Sequence, residues 1–246
     1  MSAMAQLEDE QFLAEYRQKG RPAPAVTVDL VVFTVRDTDL KLLLISRKEQ
    51  PFQGAWALPG GFVRVGDAFE NQGEDVETAA HRELAEETGL PRGATYLEQL
   101  YTFGRAGRDP RMRVITVAWY ALIRPDLAPM VTAGSDAADA RWFSLTDLPE
   151  ALAFDHEQIL AKAVERIRGK IDYAPIAFDL VPETFTIAEL RAVYEAIKGE
   201  EYDPGNFRRR FKRMMTDGVV VQAPGKRHTG RRPAAVYAFA GRVPDV

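Results

Sequence analysis

Residues Arg82-Glu83-Leu84-Ala85-Glu86-Glu87-Thr88-Gly89-Leu90 decide how the N-terminal part of this 246-residue chain reads. On a helix turning 100° per residue, Glu83, Glu86 and Glu87 stand at i, i+3 and i+4 and share one face. Three like charges so placed repel by a few tenths of a kcal/mol per pair in water. A divalent cation such as Mg²⁺ or Mn²⁺ reverses that sign, because it takes hard oxygen ligands and keeps waters that a substrate phosphate can replace. Ala79, Ala80 and Leu84 are left to face a core, and Arg82 can pair with the carboxylates and orient them. An exposed acidic helix would show the same spacing, so the flanking segments carry the decision.

Outward from the helix, Glu77–Thr88 has helical composition with a glycine stop at Gly89. Upstream, WALPGGFV (Trp56–Val63) reads as a short strand broken by Pro59-Gly60-Gly61. AVTVDLVVFTV (Ala25–Val35) and LKLLLISR (Leu40–Arg47) are strands joined by a turn at Asp37-Thr38-Asp39. Downstream, YLEQLYTFG, RVITVAWYALI and ARWFSL are three more. Strands do not alternate regularly with helices, so an α+β sandwich is expected over residues 21–150. Residues 1–20 read as a helix or tail before the extended Arg21-Pro22-Ala23-Pro24. Phe154–Arg168 reads as an amphipathic helix in a linker over 151–180. In Tyr101–Leu122, Arg108 and Arg111 bracket Asp109-Pro110 at a strand edge. Two guanidinium groups there suit a diphosphate, although an exposed basic turn looks the same. Gly60, Gly61 and Arg47 complete the candidate ligand-binding set.

The net charge of −4 conceals an asymmetry. From Thr184 onward there are twelve Lys/Arg and seven Asp/Glu, and between Gly205 and Arg232 nine basic residues face Asp217 alone. A basic module on an acidic body is a nucleic-acid-binding composition. Residues 181–242 read helix, helix, strand, loop, strand, which is a winged helix. FTIAELRAVYEAIKG (Phe185–Gly199) sets Ile187, Leu190, Tyr194 and Ile197 on one face. Asp203-Pro204 then caps FRRRFKRMM (Phe207–Met215). On that helix Phe207, Phe211, Met214 and Met215 cluster together, Arg209, Lys212 and Arg213 lie opposite, and Arg208 and Arg210 flank them. Such a helix suits the DNA major groove. Its companion loop, GKRHTGRRP, offers Lys226, Arg227, Arg231 and Arg232.

There is no cysteine, which excludes disulfides and thiolate metal sites and fits a reducing cytoplasm. No apolar run approaches the ~20 residues of a spanning helix, so no membrane role is expected.

RELAEETGL resembles the core motif of the Nudix hydrolase family at every fixed position, with Glu74 standing where that family has an earlier glutamate. The resemblance implies a Nudix-fold α/β/α sandwich. It also implies a metal set of Glu74, Glu83, Glu86 and Glu87, with Arg82 and the three helical glutamates catalytic, and a nucleoside diphosphate linked to a further group as ligand. One departure stands out: Gly61 lies thirteen residues before Glu74, where the family has six, so about seven residues, roughly GDAFENQ, are extra, and Asp67 offers an alternative carboxylate. A lengthened loop threatens catalytic placement more than binding. The order of parts across the chain is similar to that of the Nudix-related transcriptional regulators of NAD metabolism. That likeness implies a homodimeric repressor of NAD biosynthesis or salvage genes that binds operator DNA, with ADP-ribose or a related nucleotide as effector. The retained glutamates keep open an alternative, Mg²⁺-dependent ADP-ribose pyrophosphatase activity.

Overall fold

The structure, a computed structural model, describes residues 23–66, 71–90, 93, 95–130, 137–228 and 233–242. The expected N-terminal helix, Asp67, and Arg231 and Arg232 lie outside them. Strands β1 (Ala25–Arg36) and β2 (Asp39–Arg47) form a hairpin. Asp37 and Thr38 both take positive φ, 53° and 62°, the two-residue turn whose twist matches that of the strands. Strands β3 (Trp56–Ala57), β4 (Gly60–Phe62), β5 (Tyr96–Phe103), β6 (Val114–Leu122) and β7 (Ala137–Ser144) complete a mixed sheet. Its order is β3-β2-β1-β6-β5, with β4 beside β1 and β7 beside β2, and only β1 and β6 are parallel among the described pairs.

β1 is apolar on both sides because both sides are covered. Val28, Leu30 and Val32 pack with Ala79, Ala80 and Leu84 of helix α1 (Val76–Thr88). On the other face Val31, Phe33 and Val35 share a core with Ile159, Ala163 and Ile167 of helix α2 (His156–Lys170). The result is the expected helix–sheet–helix sandwich.

The C-terminal part comprises β8 (Thr184–Phe185), α3 (Ile187–Lys198), α4 (Pro204–Thr216), β9 (Val220–His228) and β10 (Pro233–Phe239), with strand order β8-β10-β9. Thr186 and Glu189 form a reciprocal capping box at the start of α3, and Asp203 caps α4 by accepting from Asn206 N at 2.8 Å. Leu190, Tyr194 and Ile197 of α3, with Phe207 and Phe211 of α4, join the same apolar cluster that begins at Val31 and Phe33. One core therefore runs from the large sheet through α2 into the winged helix.

Three of the differences from the expected boundaries matter most. Helix α2 starts at His156, because Phe154 turns the chain with a φ of 57°. Phe185 belongs to β8, paired with Tyr237. Gly225–His228, expected in the wing loop, continue β9, with Lys226 opposite Ala235 and Arg227 opposite Ala234. No helix among the described residues is long and apolar enough to cross a membrane.

Candidate functional site

A cleft of about 570 Å³ opens where the first half of β1, the end of β2, the Gly60-Gly61 turn, α1 and the β5–β6 loop meet the start of α2. Its lining includes Arg47, Arg64, Arg82, Glu83, Arg111 and Phe154. Gly60 is there because the Val28 backbone leaves no room for a side chain, and Gly61 leaves the space that the Glu83 carboxylate fills. A Cβ at Gly60 would lie 2.2 Å from the Val28 carbonyl oxygen, and one at Gly61 would lie 2.3 Å from Glu83 Oε1.

The motif residues meet as one ion-paired group. Arg82 donates from Nη1 to Glu83 Oε1 at 2.6 Å and to Glu86 Oε2 at 3.0 Å, and from Nη2 to Glu74 Oε1 at 2.6 Å and the Phe62 carbonyl at 3.1 Å. Arg64 donates to the other oxygen of Glu86 at 3.1 Å. The hydrogen bonds from Arg82 hold the Glu74 carboxyl down to about 2, against the opposing effect of burial. Burial pushes the Glu83 carboxyl up, and Arg82 opposes it. Glu83 and Glu87 are buried, while Glu86 is half exposed.

The divalent metal that the motif implies can be weighed against this arrangement. The donors are hard oxygens of the right kind. They close on guanidinium groups, however, and among the described residues no three carboxylate or imidazole side chains converge on a point where a cation could sit. The set as it stands does not fit a metal centre. Glu74, expected as a ligand, instead accepts from Arg82 and from the Arg64 backbone N–H at 2.9 Å.

The two arginines of the β5–β6 loop part company. Arg108, expected at an exposed edge, is buried: its Nε and Nη2 grip Asp155 at 3.0 and 2.6 Å, and Nη2 also reaches Asp29 at 3.3 Å. Its Nε and Nη2 are committed to two carboxylates, so Arg108 braces the floor of the cleft. His156 joins this floor by accepting from Leu58 N at Nδ1, 2.9 Å away, and burial pulls its imidazole below the ordinary value. Arg111 stays at the mouth, braced by Asp109 at 2.7 and 3.1 Å. Arg47 donates to the Pro51 carbonyl at 2.9 Å. Arg47 and Arg111 both lie over the ring of Phe154, with Cζ 4.8 and 5.7 Å from its centroid, and Arg111 also reaches the ring of Phe62. Two cations sharing one ring repel each other, and an anion between them would relieve it. Phe154 and Phe62 carry no sequence signal. Their importance comes from where strand β4 leaves Phe62 and where the turn before α2 leaves Phe154.

In the winged helix, Arg208, Arg209, Lys212 and Arg213 of α4 are exposed, and so is Lys226 of β9. Arg210 is not free: it lies over Tyr194 at 4.3 Å and donates to its hydroxyl. Arg227 turns inward to Glu189, at 2.7 and 2.8 Å, and to the Thr184 carbonyl at 2.8 Å. The sequence expectation has both facing DNA, and both instead fasten the domain together. Met215, expected in the buried set with Phe207 and Phe211, is 37% exposed.

A NUDIX domain model matches residues 25–163, and an NrtR DNA-binding winged helix domain model matches residues 177–239. The ADPR responsive transcriptional repressor NtrR of Acinetobacter baylyi is 38% identical over 98% of this chain and 92% of its own length. The chain belongs to the NrtR family of Nudix-domain proteins. An ADP-ribose pyrophosphatase of Methanocaldococcus jannaschii is 43% identical over 56% of the chain and 71% of its own length. The crystal structure of Shewanella oneidensis NrtR with a 27mer DNA shares 35% identity and a TM-score of 0.73, covering 87% of this chain and 93% of that one. Its NUDIX domain with ADP ribose matches at 34% identity and a TM-score of 0.51, covering 68% of this chain and 99% of that one. The cleft falls within the residues matched as a NUDIX domain, and α4 within those matched as the winged helix.

Proposed function

We propose that this protein is a transcriptional repressor of NAD biosynthesis or salvage genes, that its Nudix cleft binds ADP-ribose or a related NAD-derived nucleotide, and that it holds operator DNA as a homodimer. The observation that carries this reading is the pair of sites on one continuous core. One is a nucleotide-sized cleft with Arg47 and Arg111 at its mouth, and the other is a helix whose exposed side is Arg208, Arg209, Lys212 and Arg213. Arginine engages diphosphate oxygens with two donors at once. Arg47 donates to backbone carbonyls, and Arg111, though braced by Asp109, keeps a part-exposed side chain at the mouth where Arg108 is buried. The ADP-ribose named for the relatives suits that cleft. A single short helix reads few base pairs, and a two-fold pair of them matches half-sites one DNA turn apart.

Hydrolysis has less support, because Arg82 and Arg64 hold the carboxylates that a catalytic metal would need. The deciding experiment is a gel shift on the promoter region beside the gene. Retention by the protein, reversed by ADP-ribose, is the expected result. Absence of retention at low salt would overturn it.

A further inference from the structure

Phe154 is a half-buried aromatic residue with a left-handed backbone, at a φ of 57°. That conformation is uncommon outside glycine, asparagine and aspartate, and it persists only where the surroundings hold it. Here the holders are identifiable. The Arg47 and Arg111 guanidiniums lie over the ring, Phe52 meets it edge-on at 4.8 Å, and the His156 ring lies 5.4 Å away. The residues on either side are fixed to different parts of the sheet. Ala153 N donates to the Trp56 carbonyl at 2.8 Å, and Asp155 is gripped by Arg108.

From His156 the chain runs straight into α2, a rod of roughly 22 Å at ~1.5 Å per residue. The far end of that rod holds the winged helix. Arg168 Nε donates to the Ile197 carbonyl of α3 at 3.0 Å, and Asp172, just beyond α2, pairs with Lys198 at 2.5 Å. One end of α2 thus begins at the mouth of the cleft, and the other grips the helix that precedes the recognition helix.

We propose that Phe154 is a strained latch that sets the position of α2, and that an anionic ligand seated between Arg47 and Arg111 releases it. The ligand draws both guanidiniums off the ring, the φ of Phe154 relaxes to negative values, and the N-terminus of α2 turns. Arg168 carries that turn to α3 and so to α4. The latched setting is the DNA-binding one. This rests on the reading of the cleft as a nucleotide site on a DNA-binding regulator. It adds the residue through which occupancy is felt.

Two substitutions at this position separate a latch from a merely structural residue. Phe154→Gly accepts a positive φ without strain, so the DNA-binding setting no longer depends on the arginine-covered ring. Phe154→Ala keeps the strain and removes the ring that offsets it. Binding to a labelled promoter duplex would be measured by anisotropy with and without ADP-ribose, and ADP-ribose binding by calorimetry. Phe154→Gly is expected to bind DNA within about two-fold of wild type while losing most of a release effect that is typically ~5–150-fold in coupled proteins, with ADP-ribose held at saturation as read by calorimetry on the variant itself. Phe154→Ala is expected to bind DNA about ten-fold more weakly without any nucleotide, the order of the penalty for a Cβ in the left-handed region. Arg168→Ala, a half-exposed change remote from the cleft, should weaken the release effect and leave both affinities in place. It also serves if either Phe154 variant fails to fold. Full release of Phe154→Gly or Arg168→Ala by ADP-ribose would overturn the proposal. Loss of ADP-ribose binding in Phe154→Gly would do so too, by making Phe154 a ligand contact, as would an equal fall in DNA affinity for both Phe154 variants. A wild-type protein that binds DNA but ignores ADP-ribose would instead defeat the regulator reading, and the latch with it.

Discussion

At the scale of single residues, what decides a role is the partner, and partners distant in sequence are not legible in it. Glu83, Glu86 and Glu87 are readable as one group because helical periodicity brings them together, and Arg82 is readable as their orienter. Arg108 is not readable in this way, because the carboxylates that bury it, Asp29 and Asp155, stand 79 and 47 residues away. Arg227 escapes for the same reason, with Glu189 38 residues away. Two predictions belong here. If Arg82 and Arg64 occupy the carboxylates, ADP-ribose binding needs no divalent cation, and calorimetry in EDTA and in Mg²⁺ should give the same affinity within about two-fold. A large gain with Mg²⁺ would show that a cation displaces the guanidiniums. The second concerns His156. Burial lowers its imidazole from 6.5, Arg108 and Arg47 add to that, and Asp29 and Asp155 oppose it. It is therefore neutral in the fold and takes a proton readily only when unfolded. Its contribution to stability is fully present above about pH 6.5 and is lost as pH falls below that. His156→Asn, whose Oδ1 can still accept from Leu58 N, should show a shallower fall in melting temperature between about pH 6.5 and pH 5 than wild type. Equal slopes would remove His156 from the acid response.

At the scale of elements, the helices and strands are legible where hydrophobic period and capping chemistry agree. α1 stops at Gly89 and α4 opens on Pro204 behind the Asp203 cap, as those residues require. The errors fall where long-range pairing overrides local composition. Gly225–His228 look like loop and are strand, because β10 pairs with them. The sequence pattern starts α2 at Phe154 because nothing local announces a left-handed aromatic residue. The proposed recognition element can be tested. Arg209 and Arg213 are exposed on α4, opposite the buried Phe207 and Phe211. Replacing both with alanine should weaken DNA binding strongly and reduce the slope of log affinity against log salt by ~1 for each phosphate no longer neutralised. The melting temperature should barely move. Unchanged affinity would take α4 out of the interface.

At the scale of the whole molecule, the proposed nucleotide cleft and the exposed side of α4 lie on separate parts of one core, so on the proposed reading effector and DNA compete through the fold. Coupling of that kind is reciprocal: if ADP-ribose weakens DNA binding by some factor, DNA must weaken ADP-ribose binding by the same factor. Titrating ADP-ribose into the free protein and into the protein saturated with its promoter duplex should return two dissociation constants in that ratio. Identical constants would leave the nucleotide without any regulatory role.

The apolar cluster that begins at Val31 and Phe33 and ends at Phe211 and Val220 leaves no seam along which the two family modules could melt apart. Heating should meet one cooperative unit, with calorimetric and van't Hoff enthalpies in agreement for the monomeric step. A cell warmed toward that point would not first acquire a sensor without a DNA grip, or a DNA grip deaf to its nucleotide. Both would vanish together, and the genes under control would switch from obeying the signal to full expression within the same few degrees.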